Sequence, residues 1–178
     1  MEEHLTLLYG ASFLISIIAF AYAAYLYLWV KRQPLTNAKI IKVADLIKKG
    51  ANTFMNREYK ILTIFSLVIA ALILLFLPSP IWKGDFVSNI SMAFAYIAGT
   101  VLSAIAGKIG IIVAGLSNGR SAEAAQRGIK PAFLVGFRGG AVMGLLVVGC
   151  SLFGVVAVLW GVGDASILLG FSFGASSL

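Results

Sequence analysis

Apolar residues run along this chain in blocks rather than in alternation. The first block extends from about Leu5 to Val30, the second from Ile61 to Leu77, the third from about Ile90 to Leu116 and the fourth from about Ala132 to Trp160. About 20 helical residues cross the hydrocarbon of a bilayer, so each block is read as a membrane span. A fifth apolar segment begins near Ala165, and the fourteen residues from there to Leu178 are too few to cross. The pattern predicts an all-α fold: a polytopic transmembrane helical bundle with four complete spans and the start of a fifth. Residues 1–178 are read as a single transmembrane region. Because a membrane protein does not normally finish in mid-bilayer, the chain is read as the N-terminal part of a longer one.

The connections carry a finer pattern. Tyr and Trp gather in AYAAYLYLWV, as an interfacial aromatic belt would place them, and Lys31, Arg32 and Pro34 end the first span. Pro78 and Pro80 stop the second, with Trp82 marking the opposite interface. Between the first two spans, Ile40, Ile41, Ala44, Ile47, Ala51, Phe54 and Met55 fall at helical spacing, with Lys39, Lys42, Asp45, Lys48 and Lys49 over much of the rest. Such a basic amphipathic helix can lie on an anionic membrane surface or extend the second span beyond the bilayer. No polar break separates it from Ile61, which favours the extension. In the connection GLSNGRSAEAAQRGIKPAF, Asn118 and Gly119 can terminate a helix. Ser121 can cap a short one through Ala122–Arg127, Gly128 can end it, and Pro131 suits the first turn of the next span.

Composition agrees with the blocks: 60% of residues are hydrophobic and only 12% charged, against about 25% charged in soluble domains. The start MEEHLTLLYG is acidic and its apolar run is too long for a cleavable signal, so the first helix is expected to be retained. The net charge of +7 is concentrated in two connections. Residues 31–60 hold eight Lys or Arg against Asp45 and Glu58, and residues 119–138 hold Arg120, Arg127, Lys130 and Arg138 against Glu123. The other side has Glu2, Glu3, a Lys83/Asp85 pair and Asp164. The positive-inside rule then makes the basic connections cytoplasmic and the N-terminus extracytoplasmic. Topology thus accounts for the positive charge, and nucleic acid is not an expected partner.

Few residues offer chemistry. Cys150, the single thiol, excludes an intramolecular disulfide and a clustered thiolate site and reads as a packing residue; His4, the single histidine, reads as solvated. Gly99, Ser103 and Gly107 recur at four-residue intervals, as do Gly136, Gly140 and Gly144, a spacing that lets helix backbones approach closely. A substrate-lined channel would need polar groups that these stripes lack. Lys108 and Arg138 are the charges nearest the membrane; buried charges there are often functional, but both can snorkel toward the basic end. No complete span contains a carboxylate, and no phosphate loop, carboxylate pair or nucleophile with a base is present.

Several motifs in order nevertheless resemble one family. KVADLIKKGANTFMNREYKIL resembles the segment preceding the second helix of membrane-integral, cation-pumping inorganic pyrophosphatases, matching at Asp45-Leu46-Ile47, Gly50-Ala51, Phe54-Met55, Arg57 and Tyr59. GKIGIIVAGLSNGRSAEAAQRG resembles the family's Gly-x-x-Gly-Met-x-x-Ala-x-x-x-Asn-x-Arg-Thr-Ala-x-Ala-Ala pattern, with Ile111 and Ser121 in place of Met and Thr. GFRGGAVMGLLVVG and GFSFGASSL resemble the Gly-rich fourth helix and the start of the fifth. The resemblance implies a pump that hydrolyses Mg2+-pyrophosphate on the cytoplasmic side and moves H+ or Na+ outward, in some members with K+. It implies about sixteen helices in two rings, usually as a homodimer, in a prokaryotic plasma membrane rather than an acidic organelle or vacuole. This stretch would supply outer-ring helices. The family's catalytic residues, an Arg in helix five followed by Lys-x-x-Asp-x-x-x-Asp, are expected beyond Leu178. No catalytic or metal residue is therefore assigned here, and the chain alone is expected to be inactive. Arg120 and Arg127 could add positive potential that attracts pyrophosphate or act only as solvated topology determinants. The rival readings are a non-enzymatic membrane scaffold and a rotary-ring proteolipid-like subunit, which would need a mid-helix carboxylate.

Overall fold

The computed structural model describes residues 2–79 and 86–177, and every regular element among them is helical: α1 (Glu2–Lys31), α2 (Ala38–Phe76), α3 (Phe86–Ala125), α4 (Ile129–Val162) and α5 (Ala165–Ser176). Helices α1 to α4 are long and apolar enough to cross a membrane. In their most apolar windows no more than 28% of the helix is buried inside the protein. Side chains such as Leu7, Ile64, Val87 and Phe94 lie open at 66–76% exposure. In water such a surface would aggregate; in lipid it is the expected solvent-facing side. The fold is the all-helical membrane bundle that the apolar blocks predict. Trp82, Lys83 and Asp85 lie outside the described residues.

Helix α2 is unbroken for 39 residues, about 59 Å at 1.5 Å per residue. The basic amphipathic stretch is thus an extension of the second span, as the missing polar break implied. Helix α3 departs from expectation. It does not stop at Asn118-Gly119, and no separate short helix begins at Ser121: the helix runs on to Ala125. A helical glycine costs about 1 kcal/mol, but here packing outweighs it. A Cβ on Gly119 would sit 3.1 Å from the Ala44 Cβ and 3.6 Å from Leu35, so the missing side chain lets α3 close on the start of α2. The break falls instead at Gly128, whose φ of +126° suits only glycine. Pro131 follows within the first turn of α4.

The residues group into two compact units, to both of which α1, α2, α3 and α4 contribute. One comprises residues up to Ser16, Glu58–Ile105 and those from Gly149 onward. Its core joins Ala70 and Ile73 of α2 to Met92, Ala93 and Tyr96 of α3, and joins Ala95 of α3 to Ile167 and Phe171 of α5. Asn89, fully buried, donates from its amide to the carbonyls of Leu74 (3.0 Å) and Ser79 (2.8 Å), closing the carboxyl end of α2 onto α3. The contact of α3 with α5 is backbone on backbone. A Cβ at Gly99 would collide with the Phe171 carbonyl, one at Gly170 with that of Met92, and one at Gly174 with that of Tyr96. Asp164 starts α5 by accepting from the Ser166 N–H at 2.8 Å, and Gly163, at φ +70°, makes the preceding turn.

The other unit comprises Ile17–Arg57 and Ala106–Val148. Ala23 and Leu26 of α1, Val113 of α3 and Val142 of α4 form its core. Gly110 leaves room for the Met143 side chain, and Gly139 faces the Ser117 side chain.

Candidate functional site

Polar contacts concentrate where α1 ends, α2 begins and α3 ends, within the second unit. Helix α1 stops at Lys31, and its last turn closes through Arg32 and Gln33 N–H bonds to Leu28, Trp29 and Val30. Helix α2 starts after Asn37, whose side-chain oxygen accepts from the N–H groups of Lys39 (3.0 Å) and Ile40 (3.5 Å). Asparagine is favoured at this position because it satisfies donors that have no partner inside the helix.

Two side chains one helical turn apart on α3 hold this connection. Arg120 donates from Nε to the Gln33 carbonyl at 3.1 Å, from one terminal nitrogen to its own helix at Leu116 (3.1 Å) and from the other to the Lys31 carbonyl at 3.2 Å. Glu123, only 9% exposed, accepts at Oε2 from the Thr36 N–H (2.6 Å) and the Asn37 N–H (3.3 Å), and at Oε1 from the Thr36 hydroxyl (2.6 Å). Seven residues beyond the approximate end of the third apolar block, Glu123 stands outside the hydrocarbon-length part of α3. The Thr36 hydroxyl bond chiefly holds its carboxyl below the usual range; the Thr36 and Asn37 amides and the charge of Arg127 reinforce this against the opposing effect of desolvation. Ser121 donates to the Ala132 carbonyl at 2.8 Å, so the same turn of α3 also reaches the start of α4.

The residues singled out from the sequence are dispersed. The Arg138 guanidinium lies 3.9 Å from the centre of the Trp29 ring, a cation–π stack at the basic end of α1. Lys108 and Arg127 are exposed. Arg120 is engaged by three carbonyls, so its guanidinium is committed to the protein rather than presented to a ligand. Gly99 is buried against α5, while Ser103 and Gly107 are half-buried. A Cβ on Gly136 would meet only Ser121, and at Gly140 and Gly144 it would meet nothing within 4 Å. Among the described residues no three His, Cys, Asp or Glu side chains converge as a metal site would require.

Sequence reading missed Glu123 and Thr36. Glu123 was visible only as the lone acid of a basic connection, and its partner is 87 residues away. It also passed over Gly170 and Gly174, although GFSFG carries the four-residue glycine spacing.

Comparison with known proteins agrees with the resemblance drawn from the motifs. The model of the family described as inorganic H+ pyrophosphatase matches residues 17–178. A K(+)-insensitive pyrophosphate-energized proton pump of Methanosarcina mazei is 34% identical over 92% of this chain and 23% of its own length. The protein of the same description from Caldanaerobacter subterraneus is 32% identical, covering 99% and 26%. A K(+)-stimulated pyrophosphate-energized sodium pump of Thermotoga maritima is 35% identical, covering 82% and 19%. The chain spans about a quarter of the length of the curated relatives it matches.

Proposed function

Because this chain belongs to the inorganic H+ pyrophosphatase family, we propose that it is the amino-terminal part of a pump that couples pyrophosphate hydrolysis to cation transport. The observation that carries the reading is the family match over residues 17–178, a range that holds nearly every motif quoted from the sequence. The cation is H+ or Na+; the relatives include pumps named for each, some K+-stimulated and some K+-insensitive.

On this reading the two basic connections face the cytoplasm, the N-terminus faces outward, and the membrane is a prokaryotic plasma membrane. The complete pump is a homodimer. Its chemistry requires Mg2+ to neutralise phosphoryl charge and carboxylates to hold the metal. The described residues do not fit that role: Asp45 and Glu58 lie along α2, Glu123 in the last turn of α3 and Asp164 just before α5, and no three of the described acids converge. The metal and the pyrophosphate are therefore assigned to the remainder of the pump. The contribution of α1 to α4 is structural, and the exposed cations Arg127, Lys39, Lys42 and Lys48 add a positive potential at the end where the anion arrives.

The test is made on the full-length pump in inside-out vesicles. It should hydrolyse Mg2+-pyrophosphate and load H+ or Na+ into the lumen, whereas residues 1–178 alone should release no phosphate above background. A full-length protein that takes up neither cation when given pyrophosphate overturns the proposal.

A further inference from the structure

We propose that Arg120 and Glu123 form a clamp by which α3 holds the α1–α2 connection, completing from another helix the cap that α2 cannot complete for itself. The local sequence supplies only half of a cap. In the usual reciprocal arrangement, the residue at the cap bonds an N–H three positions on, and a Glu or Gln there reaches back to the cap's own N–H. Asn37 performs the first part, bonding Lys39 and Ile40. The third residue after it is Ile40, which has no acceptor to return. The Asn37 N–H, and that of Thr36 before it, find their acceptor in Glu123 instead.

Charge and helix polarity match this division. A helix carries partial positive charge at its amino end and partial negative charge at its carboxyl end. The anion Glu123 meets the start of α2, and the cation Arg120 meets carbonyls at the finish of α1. With Gly119 bare against Leu35 and Ala44, the two side chains act where α3 is close enough to reach both ends. Arg120 and Glu123 are thus positioning residues. They set where the basic arm of α2, residues 38–57, departs from α1, and with it the placement of Lys39, Lys42, Lys48 and Lys49. This inference does not depend on the pump reading.

Residue-resolved amide hydrogen exchange of the protein in lipid nanodiscs tests it, because a clamp protects particular amides. Glu123→Gln should speed exchange at Thr36 and Asn37 by about tenfold or more, as loss of hydrogen bonds to a charged acceptor implies. Exchange in the α1 and α4 cores should be unchanged. Thr36→Ser keeps the hydroxyl and should retain protection; Thr36→Val should lose part of it. The decisive variant is the exchange of charges, Arg120→Glu with Glu123→Arg. It preserves net charge and the pair's spacing but presents each helix end with the wrong sign, so amides 36 and 37 should stay unprotected. Protection within about twofold of the parent in Glu123→Gln overturns the clamp, since hydrogen bonds to an ionised group are worth more than that. So does restored protection in the charge exchange, which would reduce the pair to a topology signal. A uniform rise across all helices, with Thr36→Ser and Thr36→Val indistinguishable, overturns it as well.

Discussion

Replacing Gly174 by alanine adds one methyl group, and the seam between α3 and α5 leaves no room for it. The new carbon would fall on the Tyr96 carbonyl oxygen, 2.8 Å from the Tyr96 carbonyl carbon and 2.9 Å from the Thr100 nitrogen. All three atoms are backbone, so no side-chain rotation relieves the overlap, and the helices must part. Overpacking of this kind costs about 1–3 kcal/mol, and the rigidity of both partners places Gly174→Ala near the upper end. Alanine recovers up to about 1 kcal/mol through its better helix propensity. The expected net loss is about 1–2 kcal/mol. At about 2–4 °C per kcal/mol for a protein of this size, the melting temperature in detergent should fall by roughly 2–8 °C. Gly144→Ala is the internal control: nothing lies within 4 Å of its Cβ, so it should melt at or slightly above the parent temperature. Thermal unfolding followed by circular dichroism measures both. If Gly174→Ala melts at or above the parent while Gly144→Ala behaves as expected, the backbone-on-backbone seam is refuted.

Asn89→Ala removes the donor to two carbonyls at a fully buried position and should destabilise the protein by about 2 kcal/mol or more, read as a lower melting temperature; an unchanged value refutes the role of this amide in ending α2. Glu123 has a carboxyl depressed below its ordinary 4.5, so its contribution is complete above that pH and is lost as pH falls through the lower folded value. The melting difference between parent and Glu123→Gln should accordingly be constant from pH 7 to about 5 and shrink toward pH 3; a difference that grows on acidification contradicts the assigned hydrogen bonds. Arg127→Gln in the full-length pump should leave pyrophosphate hydrolysis within about twofold, since one exposed charge makes only a screened contribution to steering; a tenfold loss overturns the structural view of this connection.

The hydrophobic pattern disclosed the helices but not how they meet. Apolar blocks mark spans because lipid imposes a length, and the 3.6-residue spacing of Ile40, Ala44, Ile47 and Ala51 marked the arm of α2 for the same kind of reason. Local breaking signals misplaced the end of α3, because contacts between Gly119 and residues of another helix outweigh its intrinsic propensity. Glycine spacing reveals a stripe without naming its neighbour. Gly99 meets α5, whereas Gly140 and Gly144 meet nothing here and Gly139, between the marked positions, faces Ser117. The pairing of Glu123 with Thr36 was out of reach, since no local pattern links residues 87 positions apart.

That separation gives the clamp a place in time. At about 5–20 residues per second, a ribosome needs roughly 4–17 s to travel from Thr36 to Glu123. Throughout that interval the amides of Thr36 and Asn37 lack the carboxylate that binds them in the finished fold. The first two helices are therefore synthesised before the residue that locks their connection, and the end of α3 supplies the latch.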